Sequence, residues 1–252
     1  MIDLLIEKDK NFVLITKRAY YELIQDNITL NTFIDIDSLT FSSLFTEKPS
    51  EKISQFLKDS NVFSFLGKVD TSLGKNLKGL NAKYINLNSR PKQEPHFIQQ
   101  CFKDADHTLQ KDWKETSYLK AHTLKGTQLW IHPGSGSKDK NIPLEYFFKI
   151  AQQWYTENNT PLIISLGEAD LHLEEAIKGL FYAIPYSIIK PSNLNELKTL
   201  LIYKAAHFIS NDTGPSHLAA ALGIKTTVLF KRTNPNIWQP IGEKVFIEEI
   251  KK

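Results

Sequence analysis

The stretch from residue 208 to residue 223 constrains the fold more than any other part of this sequence. It reads Phe-Ile-Ser-Asn-Asp-Thr-Gly-Pro-Ser-His-Leu-Ala-Ala-Ala-Leu-Gly. The apolar run at its start predicts a strand, and the polar turn that follows predicts a loop. The alanine- and leucine-rich pattern after the turn predicts the start of a helix. At such a junction, free backbone N–H groups and the positive end of the helix dipole point to one spot, which favours a phosphate or a carboxylate.

A second junction of this kind lies upstream, where residues 129–140 read Leu-Trp-Ile-His-Pro-Gly-Ser-Gly-Ser-Lys-Asp-Lys. It offers a ligand close backbone approach, hydroxyl groups and positive charge, through Gly134, Gly136, Ser135, Ser137, Lys138 and Lys140. The order of residues is not that of the Walker phosphate loop. Two anion-binding turns in one half of the chain predict a nucleotide or sugar-phosphate ligand. The alternative for this loop is a flexible surface segment with solvated lysines.

Short apolar runs alternate with helical spacing along the whole chain, which predicts an α/β fold with mostly parallel sheets and helices on both faces. In the second half the predicted strands are 128–131, 162–167, 208–210 and 226–230, and the predicted helices are 143–154, 170–180, 194–201 and 216–222. The first half has the same alternation, with a helix end predicted around Leu4 and Leu5. The polar, weakly periodic residues 103–126 predict an interdomain connection, so we expect Rossmann-like domains at 1–119 and 120–252.

Composition excludes several classes of protein. The chain has 252 residues and a net charge of +3, which is too balanced to favour nucleic-acid binding. A single cysteine, Cys101, excludes an internal disulfide framework, and the histidine spacing does not favour a metal site. The sequence has neither a signal peptide nor an apolar run of about 20 residues, so we expect a cytoplasmic protein. Lysine-rich segments leave peripheral contact with an anionic membrane surface as an alternative.

Polar residues around the two loops are the candidate ligand contacts. Thr213 and His217 are four positions apart and would share one helix face beside Gly214, so hydroxyl and imidazole would converge on one anion. Asp212 would repel phosphate, and we expect it to cap the helix or to accept hydrogen bonds from sugar hydroxyls or backbone N–H groups. Glu168 follows a predicted strand, where it could accept hydrogen bonds from ribose or sugar hydroxyls. The alternatives are a core imidazole for His217 and a solvated acid for Glu168.

These motifs resemble glycosyltransferase family 9, the ADP-heptose:lipopolysaccharide heptosyltransferases. The resemblance is carried by His-Pro-Gly-Ser-Gly-Ser at 132–137 with Lys-Asn-Ile-Pro at 140–143, and by residues 210–223 with Trp-Gln-Pro at 238–240. It extends from about residue 128 to the end of the chain. It implies a GT-B fold of two Rossmann-like domains facing a cleft. The implied activity is transfer of a heptose, with inversion and without a metal, from a nucleotide-diphosphate donor to a lipopolysaccharide core acceptor.

The resemblance also implies roles for individual residues. Ser135, Gly136, Ser137 and Lys140 would hold the donor diphosphate, and Lys140 would stabilise the departing charge. Glu168 would meet the ribose. The residues that would surround the diphosphate and the sugar are Asp212, Thr213, Gly214 and His217.

The sequence departs from the family pattern at several positions. Ile142 stands where the family usually has tryptophan, and Asn234 where aspartate is common. Lys231 and Arg232 replace a usual Gly-Pro, and they either add positive charge to the donor pocket or lie on its rim.

The largest departure is the missing Gly-x-x-Gly-Asp motif, whose aspartate is the family's general base. Asp3 and Glu7 do not replace it, so no catalytic residue is assigned in this chain. Met1 is then either an internal residue of a longer gene product or the start of a truncated gene. We expect a gap at the centre of the first sheet and an incomplete N-terminal domain. The polypeptide would either rearrange that sheet or lose about 10²–10⁴-fold in rate without its base.

Three functions are therefore open at this point. The first is an inverting glycosyltransferase that moves a sugar from ADP-heptose to a lipopolysaccharide-type or other glycan acceptor. The second is a nucleotide-sugar-binding module that lacks the general base. The third is a GT-B enzyme that uses another nucleotide sugar.

Overall fold

Both halves of the chain alternate strands with helices in the computed structural model, which describes residues 12–28, 32–66, 72–109, 111–119, 121, 123–124 and 126–250. The chain divides into two compact units, Met1–Gln110 and Lys111–Lys252. The division between the units lies after Gln110, nearer the N-terminus than the domain boundary that the sequence predicts at 119/120. The predicted domain boundary stays a prediction. The helix end predicted at Leu4 and Leu5 lies outside the described residues, as do Asp3 and Glu7.

The first unit contains four short strands and five helices in the described ranges. The strands are β1 (Val13–Thr16), β2 (Thr32–Asp35), β3 (Asn61–Ser64) and β4 (Lys83–Asn86). The helices are α1 (Arg18–Ile24), α2 (Leu39–Ser42), α3 (Glu51–Leu57), α4 (Ser72–Gly79) and α5 (Phe97–Asp104). Strand β1 pairs in parallel with β2, and β3 in parallel with β4. The core of this unit includes Ile34, Leu44, Ile53 and Leu77.

The strands of the first unit form two separate two-stranded sheets within the described residues. One sheet is β1–β2 and the other is β3–β4. The gap that we expect at the centre of the first sheet concerns N-terminal residues that lie outside the described ranges, so it stays a prediction.

The second unit is built on one six-stranded parallel sheet. Its strands are β5 (Gln128–His132), β6 (Leu162–Ser165), β7 (Tyr186–Ile189), β8 (Ala205–Asn211), β9 (Lys225–Phe230) and β10 (Val245–Glu249). Its helices are α6 (Leu144–Asn158), α7 (Glu174–Phe181), α8 (Leu194–Lys204), α9 (Gly214–Ala221) and α10 (Pro235–Trp238). In β5, Leu129, Trp130 and Ile131 are fully buried, as expected for a central parallel strand covered on both faces.

Strand order places the two loops that the sequence predicts to bind an anion side by side. The order across the sheet is β10-β9-β8-β5-β6-β7. The chain therefore moves outward from β5 through β6 to β7, crosses back to β8, and moves outward on the other side. Ligands of such sheets bind beyond the carboxyl ends of the strands at this reversal, which here lies between β5 and β8.

The helix signals in the sequence correspond to observed contacts. The Asn193 side chain caps α8 by accepting a hydrogen bond from the Glu196 N–H at 2.9 Å. The Glu196 carboxylate in turn accepts a hydrogen bond from the Ser192 N–H at 2.7 Å. Asn159, at φ 50°, ends α6 in the left-handed region.

Several predicted element boundaries differ from the structure. The helix predicted over 170–180 begins as a 3-10 segment, Glu168–Leu173, and becomes α7 only at Glu174. The helix predicted from Ser216 begins at Gly214, because Pro215 is compatible with the first helical turn. Strands β7 and β10, at the two edges of the sheet, are absent from the prediction.

None of the helices in the described ranges combines the length and the apolar character that crossing a bilayer requires. The same part of the chain contains no group of three or more histidine, cysteine, aspartate or glutamate residues placed to bind a metal ion.

His207 in β8 gives the fold a predictable dependence on pH. Burial, and secondly the Lys225 charge, lower the pKa of His207 from 6.5 to about 4. Between these values the unfolded chain binds the proton and the folded chain does not. The free energy of unfolding therefore decreases as pH falls from about 6.5 to about 4. We predict that His207→Gln flattens the free energy of unfolding over this range, as measured by urea denaturation.

The Lys225→Met variant checks the cause of that shift. Removing the second of the two causes should raise the pKa of His207 only part of the way, because burial remains. An NMR titration of the His207 ring measures this directly. A pKa of 6.5 in the parent protein would contradict the prediction.

Candidate functional site

The first loop (residues 133–142, after β5) and the second loop (residues 211–214, after β8) are joined by an ion pair. Lys140 Nζ lies 2.7 Å from Asp212 Oδ2, and the Asp212 side chain is 8% exposed. The Thr233 hydroxyl donates to the same carboxylate oxygen at 2.7 Å. The structure therefore brings together Lys140 and Asp212, two of the residues that the sequence predicts for the site.

A buried amide, Asn211, fixes both ends of the first loop. Asn211 is fully buried at the end of β8. Its Nδ2 donates to the carbonyl oxygen of Pro133, and its Oδ1 accepts a hydrogen bond from the Ile142 N–H at 3.0 Å. The first loop is thus anchored where it leaves β5 and again just before α6.

The serines of the first loop have different environments. The Ser135 hydroxyl is buried within the loop and lies 2.7 Å from both the Ser137 carbonyl oxygen and Asn141 Oδ1. A hydroxyl has one proton, so it donates to one of these oxygens at a time. Gly136 and Ser137 are exposed. Ser135 therefore maintains the shape of the loop, whereas Gly136 and Ser137 are accessible to a ligand.

The start of α9 differs from one expectation. Thr213 is the N-cap residue, with φ −154° and ψ 161°, and its side chain makes no capping hydrogen bond. The Asp212 carboxylate instead accepts hydrogen bonds from Lys140 and Thr233. The expectation that Asp212 caps this helix is therefore wrong. The cause is long-range pairing, which local sequence does not encode. Gly214 and His217 are both exposed in the first turn, next to the half-buried Thr213.

Glu168 lies beside this pair of loops but is not joined to them. It is exposed and begins the 3-10 segment that follows β6, the neighbour of β5. Within the described residues, it forms no hydrogen bond or ion pair with either loop. Its contact with a ribose stays a prediction.

A buried polar network that the sequence did not reveal lies beneath the first loop. Trp130 Nε1 donates to Ser165 Oγ at 2.8 Å, and the same oxygen lies 2.9 Å from His132 Nδ1. His132 Nε2 lies 3.6 Å from Asp170 Oδ2, and both of these side chains are more than nine-tenths buried. The network therefore connects β5, β6 and the 3-10 segment after β6.

Burial sets the proton arrangement of this network. Desolvation lowers the pKa of His132, and the nearby Asp170 charge opposes this only in part. A neutral imidazole carries one N–H, and Ser165, which accepts from Trp130, can donate its hydroxyl proton to His132 Nδ1. His132 then directs its Nε2–H towards Asp170. Histidine at a strand end was the only available sequence signal, because Asp170 lies 38 residues further along the chain.

Gly134 is required by the position of Asp170. A Cβ atom at Gly134 would overlap the Asp170 carboxylate, whereas one at Gly136 would meet no atom within 4 Å. The network thus determines how closely the first loop packs against the 3-10 segment.

The departures from the family pattern have different structural roles. Ile142 is 3% exposed and belongs to the hydrophobic core with Phe147 and Leu166. Asn234 caps α10 by accepting a hydrogen bond from the Asn236 N–H at 2.9 Å. Lys231 donates to the Asn141 carbonyl oxygen at 2.9 Å, and Arg232 lies 4.0 Å from Asp139. Both basic residues therefore contact the first loop.

Comparison with known proteins identifies the family of this site. The sequence profile of glycosyltransferase family 9 (heptosyltransferase) matches residues 80–249. The chain belongs to glycosyltransferase family 9. This assigns glycosyl transfer as its class of activity, and it confirms the resemblance that the two loops carry.

Curated heptosyltransferases are similar to this chain over much of its length. Lipooligosaccharide heptosyltransferase 2 of Campylobacter jejuni serotype O:2 is 27% identical over 248 residues, covering 84% of this chain and 76% of the relative. Lipopolysaccharide core heptosyltransferase OpsX of Haemophilus influenzae is 28% identical over 156 residues, covering 61% of this chain and 41% of the relative.

A solved heptosyltransferase and a solved family 9 glycosyltransferase share the fold. Escherichia coli heptosyltransferase WaaC with ADP superposes with a TM-score of 0.60 at 15% identity, covering 94% of this chain and 92% of that one. The family 9 glycosyltransferase of Veillonella parvula gives a TM-score of 0.64 at 15% identity, covering 94% and 76%. The predicted α/β fold of GT-B type is confirmed.

Two glycines of the first loop provide a matched pair of variants. We predict that Gly134→Ala lowers the free energy of unfolding by about 1–3 kcal/mol, because its methyl group must displace the buried Asp170 carboxylate. Gly136→Ala should have little effect, because the added methyl group meets open space. Urea denaturation of both variants measures the difference, and equal stabilities would contradict the packing described for Gly134.

Proposed function

We propose that this chain transfers a heptose from ADP-heptose to a lipopolysaccharide-core-type acceptor, with inversion at the anomeric carbon. The single observation that supports the proposal is the ion pair between Lys140 and Asp212 at the carboxyl ends of β5 and β8. A cation, an exposed Gly-Ser turn and the first turn of a helix lie together at the point where α/β sheets bind nucleotides.

The charges of the loops suit a diphosphate. Lys138 and Lys140 belong to the first loop, and Lys231 and Arg232 to the segment after β9. Two carboxylates accompany them, Asp139 in the first loop and Asp212 in the second. In the proposed reaction Lys140 stabilises the negative charge that develops on the departing ADP. Gly136, Ser137, Thr213, Gly214 and His217 surround the diphosphate and sugar, Ser135 supports the loop, and Glu168 accepts hydrogen bonds from the ribose.

Relatives support the choice of donor and acceptor. A solved relative is named as WaaC with ADP, and another as an ADP-heptose lipopolysaccharide heptosyltransferase of E. coli. The curated relatives are named for lipooligosaccharide and lipopolysaccharide core. An acceptor of this kind is lipid-linked, so the proposal includes peripheral contact with a membrane surface.

A second function is favoured by one feature of the sequence. The given chain contains no Gly-x-x-Gly-Asp motif, so the base that would activate the acceptor hydroxyl is not assigned to any of its residues. A nucleotide-sugar-binding module would keep the donor loops and bind ADP without turnover. Measuring ADP affinity and heptose transfer in the same preparation separates the two functions.

We predict that Lys140→Ala and His217→Ala each weaken ADP binding by about tenfold, since each removes a contact to the diphosphate. Titration calorimetry measures the dissociation constant. Lys149→Ala is the matched control, because Lys149 is an exposed lysine of α6 in the same unit. Cys101→Ala, which changes a fully buried thiol of α5 in the other unit, should also bind ADP normally.

Unchanged ADP affinity in both the Lys140 and His217 variants would place the nucleotide elsewhere. Titrations with UDP and GDP complete the design. Tighter binding of either nucleotide would replace ADP-heptose by another nucleotide sugar.

A further inference from the structure

Lys231 lies at the carboxyl end of β9 and reaches the first loop. Strand β9 pairs with β8 over residues that include Leu229 and Asn211, so Lys231 follows the strand next to the second loop. Its Nζ donates to the Asn141 carbonyl oxygen at 2.9 Å, and the residue is half-buried. Lys231 therefore contacts the same loop that carries Lys140.

The charge of Lys231 is not matched by a contacting carboxylate among the described residues. The ion pairs of the two loops are Lys140 with Asp212 at 2.7 Å and Asp139 with Arg232 at 4.0 Å. Lys231 belongs to neither pair. Its observed partner is a neutral carbonyl group. That hydrogen bond uses one of the three N–H donors of an ammonium group, which leaves two for a ligand.

Arg232 differs from its neighbour in this respect. Its side chain is 51% exposed and its carboxylate partner Asp139 is 75% exposed, so their 4.0 Å contact is weak and screened by solvent. The sequence left open whether Lys231 and Arg232 lie in the pocket or on its rim, and Arg232 is an exposed side chain. The structure places Lys231 against the loop backbone.

Lys140 and Lys231 thus both bring positive charge to the first loop. Lys140 is a residue of that loop, and Lys231 binds the carbonyl oxygen of the next residue, Asn141. Like charges repel each other, and Asp212 is in contact with only one of the two. An anion with two negative centres would balance the arrangement.

We propose that Lys231 binds the diphosphate of the donor together with Lys140 and gives this chain a preference for nucleoside diphosphates over monophosphates. This rests on the proposed function, because it concerns the same ligand site. Lys140 then contacts the ligand from the loop after β5, and Lys231 contacts it from the residue that follows β9. The preference arises because a diphosphate offers a separate phosphate group to each ammonium group, whereas a monophosphate offers only one.

The test compares Lys231→Met and Lys231→Gln with the parent chain. Methionine keeps an apolar stem without the charge, whereas glutamine removes the charge but keeps an N–H that can donate to Asn141. Titration calorimetry of the full chain with ADP, AMP and adenosine measures the effect. Both variants should bind ADP about tenfold more weakly and lose less affinity for AMP, with adenosine binding unchanged.

Lys225→Met is the matched control. Lys225 begins the same strand, so it undergoes the same substitution at the opposite end of β9. It should bind ADP as the parent chain does. The free energy of unfolding of each variant, measured in urea, shows whether it is folded, and glutamine serves as the replacement if methionine prevents folding.

Each other outcome has a distinct meaning. A parent chain that fails to bind ADP would overturn the proposed function. A parent chain that binds ADP while both variants bind it equally well would overturn the role of Lys231 alone. Normal ADP binding by Lys231→Gln with weak binding by Lys231→Met, or an equal loss for ADP and adenosine, would make Lys231 a structural tether and also overturn the proposal.

Discussion

The buried side chain of Asn211 is the contact on which the arrangement of the site depends. Both ends of its amide are used by backbone groups of the first loop, at Pro133 and Ile142. A buried polar group that loses its partner costs about 1–3 kcal/mol, so the loop and the end of β8 are ordered together. Lys140 lies between the two anchored positions. A loop held in this way loses little additional conformational entropy when a ligand binds.

The network of His132, Ser165 and Asp170 supports the same loop from below. Because burial lowers the pKa of His132, the imidazole adds no positive charge close to the lysines above it. The cations of the candidate site are therefore at the loop surface, while the imidazole beneath is neutral and lies beside the Asp170 carboxylate. Gly134 allows this layer to approach the loop backbone. Shape and charge at the site thus come from different sets of residues.

Much of the second unit was predictable from sequence because its signals are local. Strands β5 and β8 are buried on both faces and read as apolar runs, and the loops after them have distinctive turn residues. The edge strands β7 and β10 were missed because they are only partly buried, and β10 ends in Glu248 and Glu249. Short strands of this kind lack a pattern that separates them from loops.

The partners of Asp212 could not be predicted for a different reason. Its hydrogen bonds come from Lys140, 72 residues away, and from Thr233, 21 residues away. Side-chain pairing over such separations is decided by strand order, which a single sequence does not fix. The same holds for Asp170, which pairs with His132 rather than starting the helix that local spacing predicted.

The strand order has a further consequence for how this site can be inherited. The residues of the proposed donor site all follow strands of the second unit, so the site lies within one continuous stretch of the chain, from β5 to the segment after β9. Recombination that replaced residues 1–110 would exchange the other unit and leave this stretch whole. Nucleotide recognition in such a fold can persist while the remainder of the protein diversifies.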